Sequence, residues 1–149
     1  MVRFAVIGTN FITERFLTAA AECGEFLLSA VYSRTEEKGR AFAERYGVKK
    51  VYTDLYGLAC DPQIDASPTC CHMEQAVMMM KHGKHVLCEK PAASNLHELQ
   101  KMIAAAQKNQ VIFLEAMRPV FHPGMKVLQR LLPQIGQMRR AQLTFCQYS

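Results

Sequence analysis

The chain alternates between two kinds of segment, and this alternation restricts its fold more than any other feature. Short runs of consecutive apolar residues, such as VRFAVIG near the N-terminus and EFLLSAVYS from residue 25, are typical of strands buried on both faces. Between these runs lie longer segments whose apolar residues recur at helical spacing, and several of them end at a glycine. Strands that alternate with helices favour a parallel sheet covered by helices on both sides. The sequence therefore predicts an α/β protein with a doubly wound parallel sheet.

The same patterns predict where the individual elements lie. Helices are expected over residues 11–23, 36–46, 96–109 and 123–132, with Thr35 and Asn95 as N-caps. The last stretch, QMRRAQLTFCQYS (137–149), alternates loosely between apolar and polar residues and predicts a final strand. A dinucleotide-binding domain over residues 1–120 is expected, followed by a linking helix and the start of a second domain over 121–149.

Composition narrows the class of protein. The net charge is +5, but the basic residues are scattered, which does not favour a nucleic-acid partner. A small acidic ligand, such as a phosphate-bearing cofactor, accounts for the same surplus. The six cysteines form no C-x-x-C pair and no signal peptide precedes the first strand, so reduced thiols and a cytoplasmic location are expected. No apolar run approaches the roughly 20 residues that span a membrane, and no metal site is predicted.

The turn after the first strand, GTNFIT, has the position of a dinucleotide-binding fingerprint. That fingerprint has three glycines, and only Gly8 is present, because Asn10 and Thr13 occupy the other two places. Backbone N–H groups at a helix start bind phosphate whatever the side chains are. Gly8 is therefore either the start of a phosphate-binding turn or simply the end of a strand.

The end of the second strand, YSRT, carries no carboxylate. In NAD-binding domains an acid near this point holds the ribose hydroxyls. Here Ser33 and Arg34 would suit a ribose 2′-phosphate, so NADPH is favoured over NADH, with NADH as the alternative. Arg34 could equally be an exposed arginine at a helix start.

The stretch CEKP ends another apolar run on an acid, a lysine and a proline. Strand ends at the carboxyl edge of a parallel sheet face the ligand crevice, so Lys90 is expected at the nicotinamide end of a bound cofactor. A lysine beside a cationic nicotinamide should have a lowered pKa and could exchange protons. The alternative is a surface lysine.

Two further stretches contain candidate site residues. In SPTCCH, Pro68 is expected to fix a turn, Thr69 to contact a ribose or start a helix, and His72 to cap that helix or donate a proton. In EAMRPVFHP, Arg118 could orient a polar substrate, while His122 before a proline fits a helix entry.

Taken in order, VRFAVIG, YSR, SPTCCH, GKHVLCEKPAA and FLEAMR resemble the Gfo/Idh/MocA oxidoreductases, the family of glucose–fructose oxidoreductase and dihydrodiol dehydrogenase-like enzymes. GKHVLCEKP is the most specific element of the resemblance. The likeness covers almost the whole chain, but only the N-terminal half of the family. It implies a Rossmann domain that binds NADP or NAD, with Lys90 at the hydride-transfer centre.

The resemblance also implies which residues form the site. The catalytic residues would be Lys90 and Arg118. The cofactor-binding residues would be Gly8, Thr9, Asn10, Phe11, Ile12, Ser33, Arg34, Pro68, Thr69, His72, Glu89 and Lys90. The substrate would be a sugar, a polyol or a related small carbonyl or alcohol compound. The alternative is a nucleotide-binding or redox-sensing module without catalysis.

Two departures from the family pattern carry expectations of their own. The resemblance leads us to expect that this chain lacks the family's larger antiparallel-sheet domain, through which the full-length enzymes usually form homo-oligomers. In addition, Asp65-Ala66 is followed directly by Ser67, where the family has an apolar strand. A strand needs about five residues. The sequence therefore predicts that the fourth strand, next to the first, is missing.

Overall fold

A computed structural model describes residues 1–69, 73–144 and 146. Its centre is a six-stranded sheet of order β3-β2-β1-β4-β5-β6, in which every neighbouring pair is parallel. This confirms the doubly wound parallel sheet that the sequence predicts. The strands are β1 (Val2–Ile7), β2 (Phe26–Tyr32), β3 (Lys50–Tyr52), β4 (Ala66–Thr69), β5 (His85–Cys88) and β6 (Phe113–Glu115).

Helices connect the strands and continue beyond the last one. They are α1 (Phe11–Cys23), α2 (Glu36–Arg45), α3 (Leu55–Cys60), α4 (Met73–Lys81), α5 (Leu96–Lys108), α6 (Arg118–Phe121) and α7 (Pro123–Leu131), followed by a 3-10 helix (Leu132–Ile135). The chain divides into two compact units, Met1–Ala116 and Met117–Ser149. The sequence predicts this division slightly later, after residue 120. Among the described residues, no helix is both long and apolar enough to cross a lipid bilayer.

The sheet has a hydrophobic core on each face. Alternate residues of β1 supply both cores: Ala5 and Ile7 belong to one, Phe4 and Val6 to the other. The first core packs against α3, α4 and α5, and the second against α1 and α2. Burial on both faces explains why the strands read as continuous apolar runs.

The fourth strand is present, and the prediction that it is missing is wrong. Ala66–Thr69 pairs with β1, where Phe4 faces Ala66, and along its whole length with β5. An open gap between two buried strands would leave backbone N–H and C=O groups without partners. The Ser-Pro-Thr segment is drawn into this gap, so Pro68 lies within a strand rather than in the predicted turn.

The residues that fill β4 are poor strand residues. Proline has no N–H to donate to the ladder and is unusual in a central strand. The side chain of Ser67 is buried, with 1% exposed, and its hydroxyl has no hydrogen-bond partner among the described residues. A buried hydroxyl without a partner costs about 1–3 kcal/mol. The backbone pairing of β4 therefore forms against unfavourable side chains.

The turn that leads into β4 is held by a cluster of charges. Asp65 accepts hydrogen bonds from the backbone N–H of Arg3 at 2.9 Å and from its guanidinium, with Nη2 to Oδ1 at 2.6 Å. Nearby, the buried ammonium of Lys84 donates to the carbonyl oxygens of Asp61 at 2.6 Å and Ile64 at 2.8 Å. These bonds join the turn to the starts of β1 and β5.

Hydrogen bonds around this turn lower the pKa values of two carboxyl groups. The hydrogen bonds from Arg3 lower the pKa of Asp65 to about 2. Burial alone would raise the pKa of Asp61, but hydrogen bonds from Lys50, the Gln63 N–H and the Tyr52 hydroxyl lower it to about 2. Both carboxylates therefore stay charged well into acid.

The predicted final strand is not found. Residues 137–144 contain no strand, and residues 145 and 147–149 lie outside the described residues. A strand requires a neighbour to accept its backbone hydrogen bonds, and no described strand pairs with this segment.

Replacing Ser67 by alanine should stabilise the protein. The change removes the buried hydroxyl and leaves its neighbours intact, which is worth about 1 kcal/mol, or roughly 2–4 °C in Tm for a chain of this size. Thermal unfolding followed by circular dichroism measures the shift. In the matched control, Ser29→Ala, the hydroxyl lost already donates to Leu27 O at 3.3 Å, so no gain is expected. A lower Tm for Ser67→Ala would contradict the described burial.

The two low carboxyl pKa values predict acid sensitivity. A folded pKa near 2 against about 3.9 in the unfolded chain gives stability that is complete above about pH 5 and lost as the pH falls towards 2. Asp65→Asn should lower the free energy of unfolding at pH 6 by about 1 kcal/mol, because the pair is partly exposed and screened. Urea titrations at pH 6 and pH 3 measure both effects.

The control for this series is Glu25→Gln, which alters an exposed carboxylate with no side-chain partner among the described residues. If Asp65→Asn and Glu25→Gln gave the same stability at both pH values, the Arg3–Asp65 pair would not anchor β4.

Candidate cofactor-binding and active site

One row of paired residues crosses the whole sheet at the carboxyl ends of its strands. In sheet order the row is Tyr52, Tyr32, Ile7, Thr69, Cys88 and Glu115. The strands are parallel, so whatever follows each of these residues lies at the same edge. Gly8, Ser33 and Glu89 each come one position after the row. The strand order also reverses between β1 and β4, where α/β proteins bind ligands.

Gly8 and Asn10 fix the turn after β1. Gly8 has φ of 101°, which an L-residue with a side chain rarely adopts, and its N–H donates to Tyr32 O at 3.2 Å. Asn10 is the N-cap of α1, and its Oδ1 accepts the N–H groups of Ile12 at 3.0 Å and Thr13 at 3.1 Å. Asn10 therefore takes a structural role that a glycine could not.

The remaining N–H groups of this turn suit an anion. Those of Thr9, Asn10 and Phe11 donate to no described residue, and they precede the first full turn of a 13-residue helix. The helix dipole adds a favourable field for negative charge at this end. The turn thus fits the pyrophosphate of a dinucleotide even though it has one glycine of the usual three.

Of the two residues that follow β2, Ser33 is buried and Arg34 is exposed. The Ser33 side chain is buried, and its Oγ accepts the Thr35 N–H at 3.5 Å. A Cβ added at Gly39 of α2 would come within 3.1 Å of the Ser33 Cβ, so this helix lies directly against it. Arg34 is exposed and forms no hydrogen bond or ion pair with a described residue. Of the two predicted ligands, only Arg34 presents its side chain to solvent.

The loop after β5 carries Lys90 beside a cavity. Lys90 is exposed, its peptide bond to Pro91 is cis, and it forms no ion pair with a described residue. The cavity has a volume of about 510 Å³ and is lined by the start of α4, by this loop and by the start of α5. Lys90 lines it together with three acids, Glu74, Glu89 and Glu98. The ammonium is therefore open to a ligand, and three acidic residues line the same cavity.

The end of β6 holds this loop in place. A Glu115 carboxylate oxygen, Oε1, accepts the N–H of Ala92 at 2.9 Å. On the other side the Cys88 thiol donates to the Ala92 carbonyl oxygen at 3.6 Å, and the Ala116 N–H donates to the Cys88 carbonyl oxygen at 2.7 Å. Sequence reasoning assigned no role to Glu115; an acid at the last position of a strand was the only available signal.

The remaining predicted site residues belong to β4, to the second unit or to the part of the chain outside the described residues. Pro68 lies within β4 and Thr69 is its last residue, while His72 lies outside the described residues. Arg118 is the exposed first residue of α6 and belongs to the second unit. His122 caps α7, where its Nδ1 accepts the Gly124 N–H at 3.1 Å, which confirms its interpretation as a helix-entry residue.

Comparison with known proteins gives the family. Residues 2–117 match GFO_IDH_MocA, the oxidoreductase family with an NAD-binding Rossmann fold. The chain belongs to this family. The resemblance carried by the strand-end motifs is therefore confirmed, and with it a Rossmann domain of the NAD-binding type.

Named relatives include enzymes of inositol and dihydrodiol chemistry. The chain is 48% identical over 153 positions to scyllo-inositol 2-dehydrogenase (NADP(+)) IolU of Bacillus subtilis, covering 100% of the chain and 47% of that protein. It is 29% identical to trans-1,2-dihydrobenzene-1,2-diol dehydrogenase of Mus musculus, covering 97% of the chain and 46% of the relative. The chain thus spans about half the length of these relatives.

A solved structure shows the same architecture. KijD10, a 3-ketoreductase from Actinomadura kijaniata crystallised with NADP, superposes with a TM-score of 0.82 at 25% identity, over 89% of this chain and 43% of that one.

Proposed function

We propose that this chain forms the cofactor-binding half of an NADP(H)-dependent oxidoreductase that moves a hydride between the nicotinamide and a sugar, a polyol or a related small alcohol or carbonyl compound. The observation that carries the proposal is the common row at the carboxyl edge. Two features therefore lie at the same edge of the sheet. One is a turn whose N–H groups have no partner among the described residues, and the other is an exposed lysine that lines a cavity. The names of the relatives support the substrate class.

The cofactor would lie across the strand ends from β2 to β5. Its pyrophosphate would take the N–H groups of Thr9, Asn10 and Phe11, which are free among the described residues. Arg34 would pair with the ribose 2′-phosphate, because it is exposed and no carboxylate competes at the end of β2. The nicotinamide would then extend towards the loop that carries Lys90.

Lys90 would accept and return the proton of the substrate hydroxyl. When bound, the nicotinamide supplies or accepts the hydride. In the oxidising direction the substrate carbon loses its hydride and its hydroxyl loses a proton, and the neutral amine of Lys90 accepts that proton as the carbonyl forms. In the reducing direction the Lys90 ammonium returns it.

Replacing Lys90 by methionine should separate binding from chemistry. In this chain, Lys90→Met should change the Kd for NADPH less than threefold, because the pyrophosphate and the 2′-phosphate carry the affinity. In a chimera that carries this chain in place of the matched half of the Bacillus dehydrogenase, the same change should lower kcat by a factor of about 10² to 10⁴. NADPH fluorescence measures both quantities.

The control in each setting is Lys101→Met, which changes an exposed lysine of α5 and should have no effect. Unchanged turnover of the Lys90→Met chimera would remove this residue from the reaction. Tight NADPH binding with turnover absent from every chimera would instead support a nucleotide-binding module without catalysis.

Arg34 should decide between the two nicotinamide cofactors. Arg34→Asp replaces a 2′-phosphate partner by a like charge, so the Kd for NADPH should rise at least tenfold while the Kd for NADH stays within about threefold. Fluorescence titration with both cofactors measures the ratio, and Arg130→Asp on α7 is a control of equal charge change. Equal losses for NADPH and NADH would refute the assignment of the 2′-phosphate to Arg34.

A further inference from the structure

We infer that Glu115 is a positioning residue, which fixes the Lys90 loop by accepting the backbone N–H of Ala92. The inference rests on the proposed function, since it assigns to Glu115 the task of holding Lys90 where the nicotinamide would lie. Glu115 itself does not line the cavity.

The hydrogen bonds around Ala92 fix the loop from both sides. Glu115 Oε1 accepts the Ala92 N–H at 2.9 Å, and the Cys88 thiol donates to the Ala92 carbonyl at 3.6 Å. Cys88 and Glu115 face each other in the ladder between β5 and β6. The residues from Cys88 to Ala92 therefore form a short arch, whose two ends are tied to the same pair of positions in the sheet.

Lys90 lies in the middle of this arch. Its side chain makes no hydrogen bond or ion pair with a described residue. The backbone of the arch therefore sets the point from which the side chain extends. Ala92 and the intervening Pro91 both line the cavity, together with Lys90. A shift of Ala92 would therefore move the wall of the cavity and the base of the lysine side chain together.

The contact needs an acceptor, and a negative charge is not required. The partner of the Glu115 carboxylate is a neutral backbone N–H, and Glu115 pairs with no cation among the described residues. A glutamine has an oxygen at the same place and can accept the same bond, whereas a methionine of similar length cannot. Glu115→Gln should thus preserve the arch, and Glu115→Met should release it with little loss of volume.

The test observes Lys90 in this chain directly. Lysines are reductively dimethylated with ¹³C-formaldehyde and a borane reductant, and the Lys90 signal is assigned by its loss in Lys90→Arg. Saturating NADP⁺ should shift this signal in the native chain and by the same amount in Glu115→Gln. In Glu115→Met, at equal occupancy by NADP⁺, the shift should fall to less than half. The signal of Lys101 should not move in any variant.

A second measurement uses the Ala92 amide itself. Loss of its acceptor should raise its hydrogen-exchange rate about tenfold or more in Glu115→Met, with no change in Glu115→Gln. Where Glu115→Met does not fold, the native chain decides: an unprotected Ala92 amide overturns the inference.

The outcomes distinguish this inference from the proposed function. If NADP⁺ shifts Lys90 equally in the native chain and in folded Glu115→Met, Glu115 does not position the loop, while the proposed function stands. If NADP⁺ binds without shifting Lys90 in the native chain, both fail. A reduced shift in Glu115→Met that Glu115→Gln restores supports the inference, because a general loss of stability would not separate the two variants in this way.

Discussion

The structure depends on the backbone pairing of one short strand, β4, between β1 and β5. Its four residues include a serine whose hydroxyl has no partner among the described residues and a proline that cannot complete the ladder. The alternative, an open gap between two buried strands, would leave a larger number of backbone groups without partners. The Arg3–Asp65 pair and the Lys84 ammonium fix the turn before β4, so that its register with both neighbours is set at the point of entry.

That register decides where the site residues lie. With Thr69 opposite both Ile7 and Cys88, the turn after β1 and the loop after β5 leave the sheet at the same edge. A slip of one residue in β4 would displace one of them relative to the other and would also reverse which face each side chain meets. The proposed placement of one extended cofactor between the first turn and Lys90 therefore depends on β4, which holds the two halves of the sheet together.

Much of this arrangement could be predicted from the sequence. Apolar runs indicated the longer strands, and Asn95 marked the start of α5 because its side chain caps the helix locally. The strand β4 could not be predicted, since local propensity argues against Ser-Pro-Thr and only the neighbouring strands overcome it. The burial of Ser33 against Gly39 could not be predicted, because it depends on how α2 packs on the sheet. The role of Glu115 could not be predicted, because its partner is a backbone N–H that lies 23 residues away.

The account is tested most directly by locating a bound cofactor relative to Lys90. Nuclear Overhauser effects between the nicotinamide ring protons of NADP⁺ and the side-chain methylenes of an isotope-labelled chain would report which residues lie within a few ångströms of the ring. We expect contacts to Lys90, together with contacts from the adenosine end near Arg34. Cofactor binding with the nicotinamide away from Lys90, or no binding of NADPH and NADH at millimolar concentration, would contradict the account.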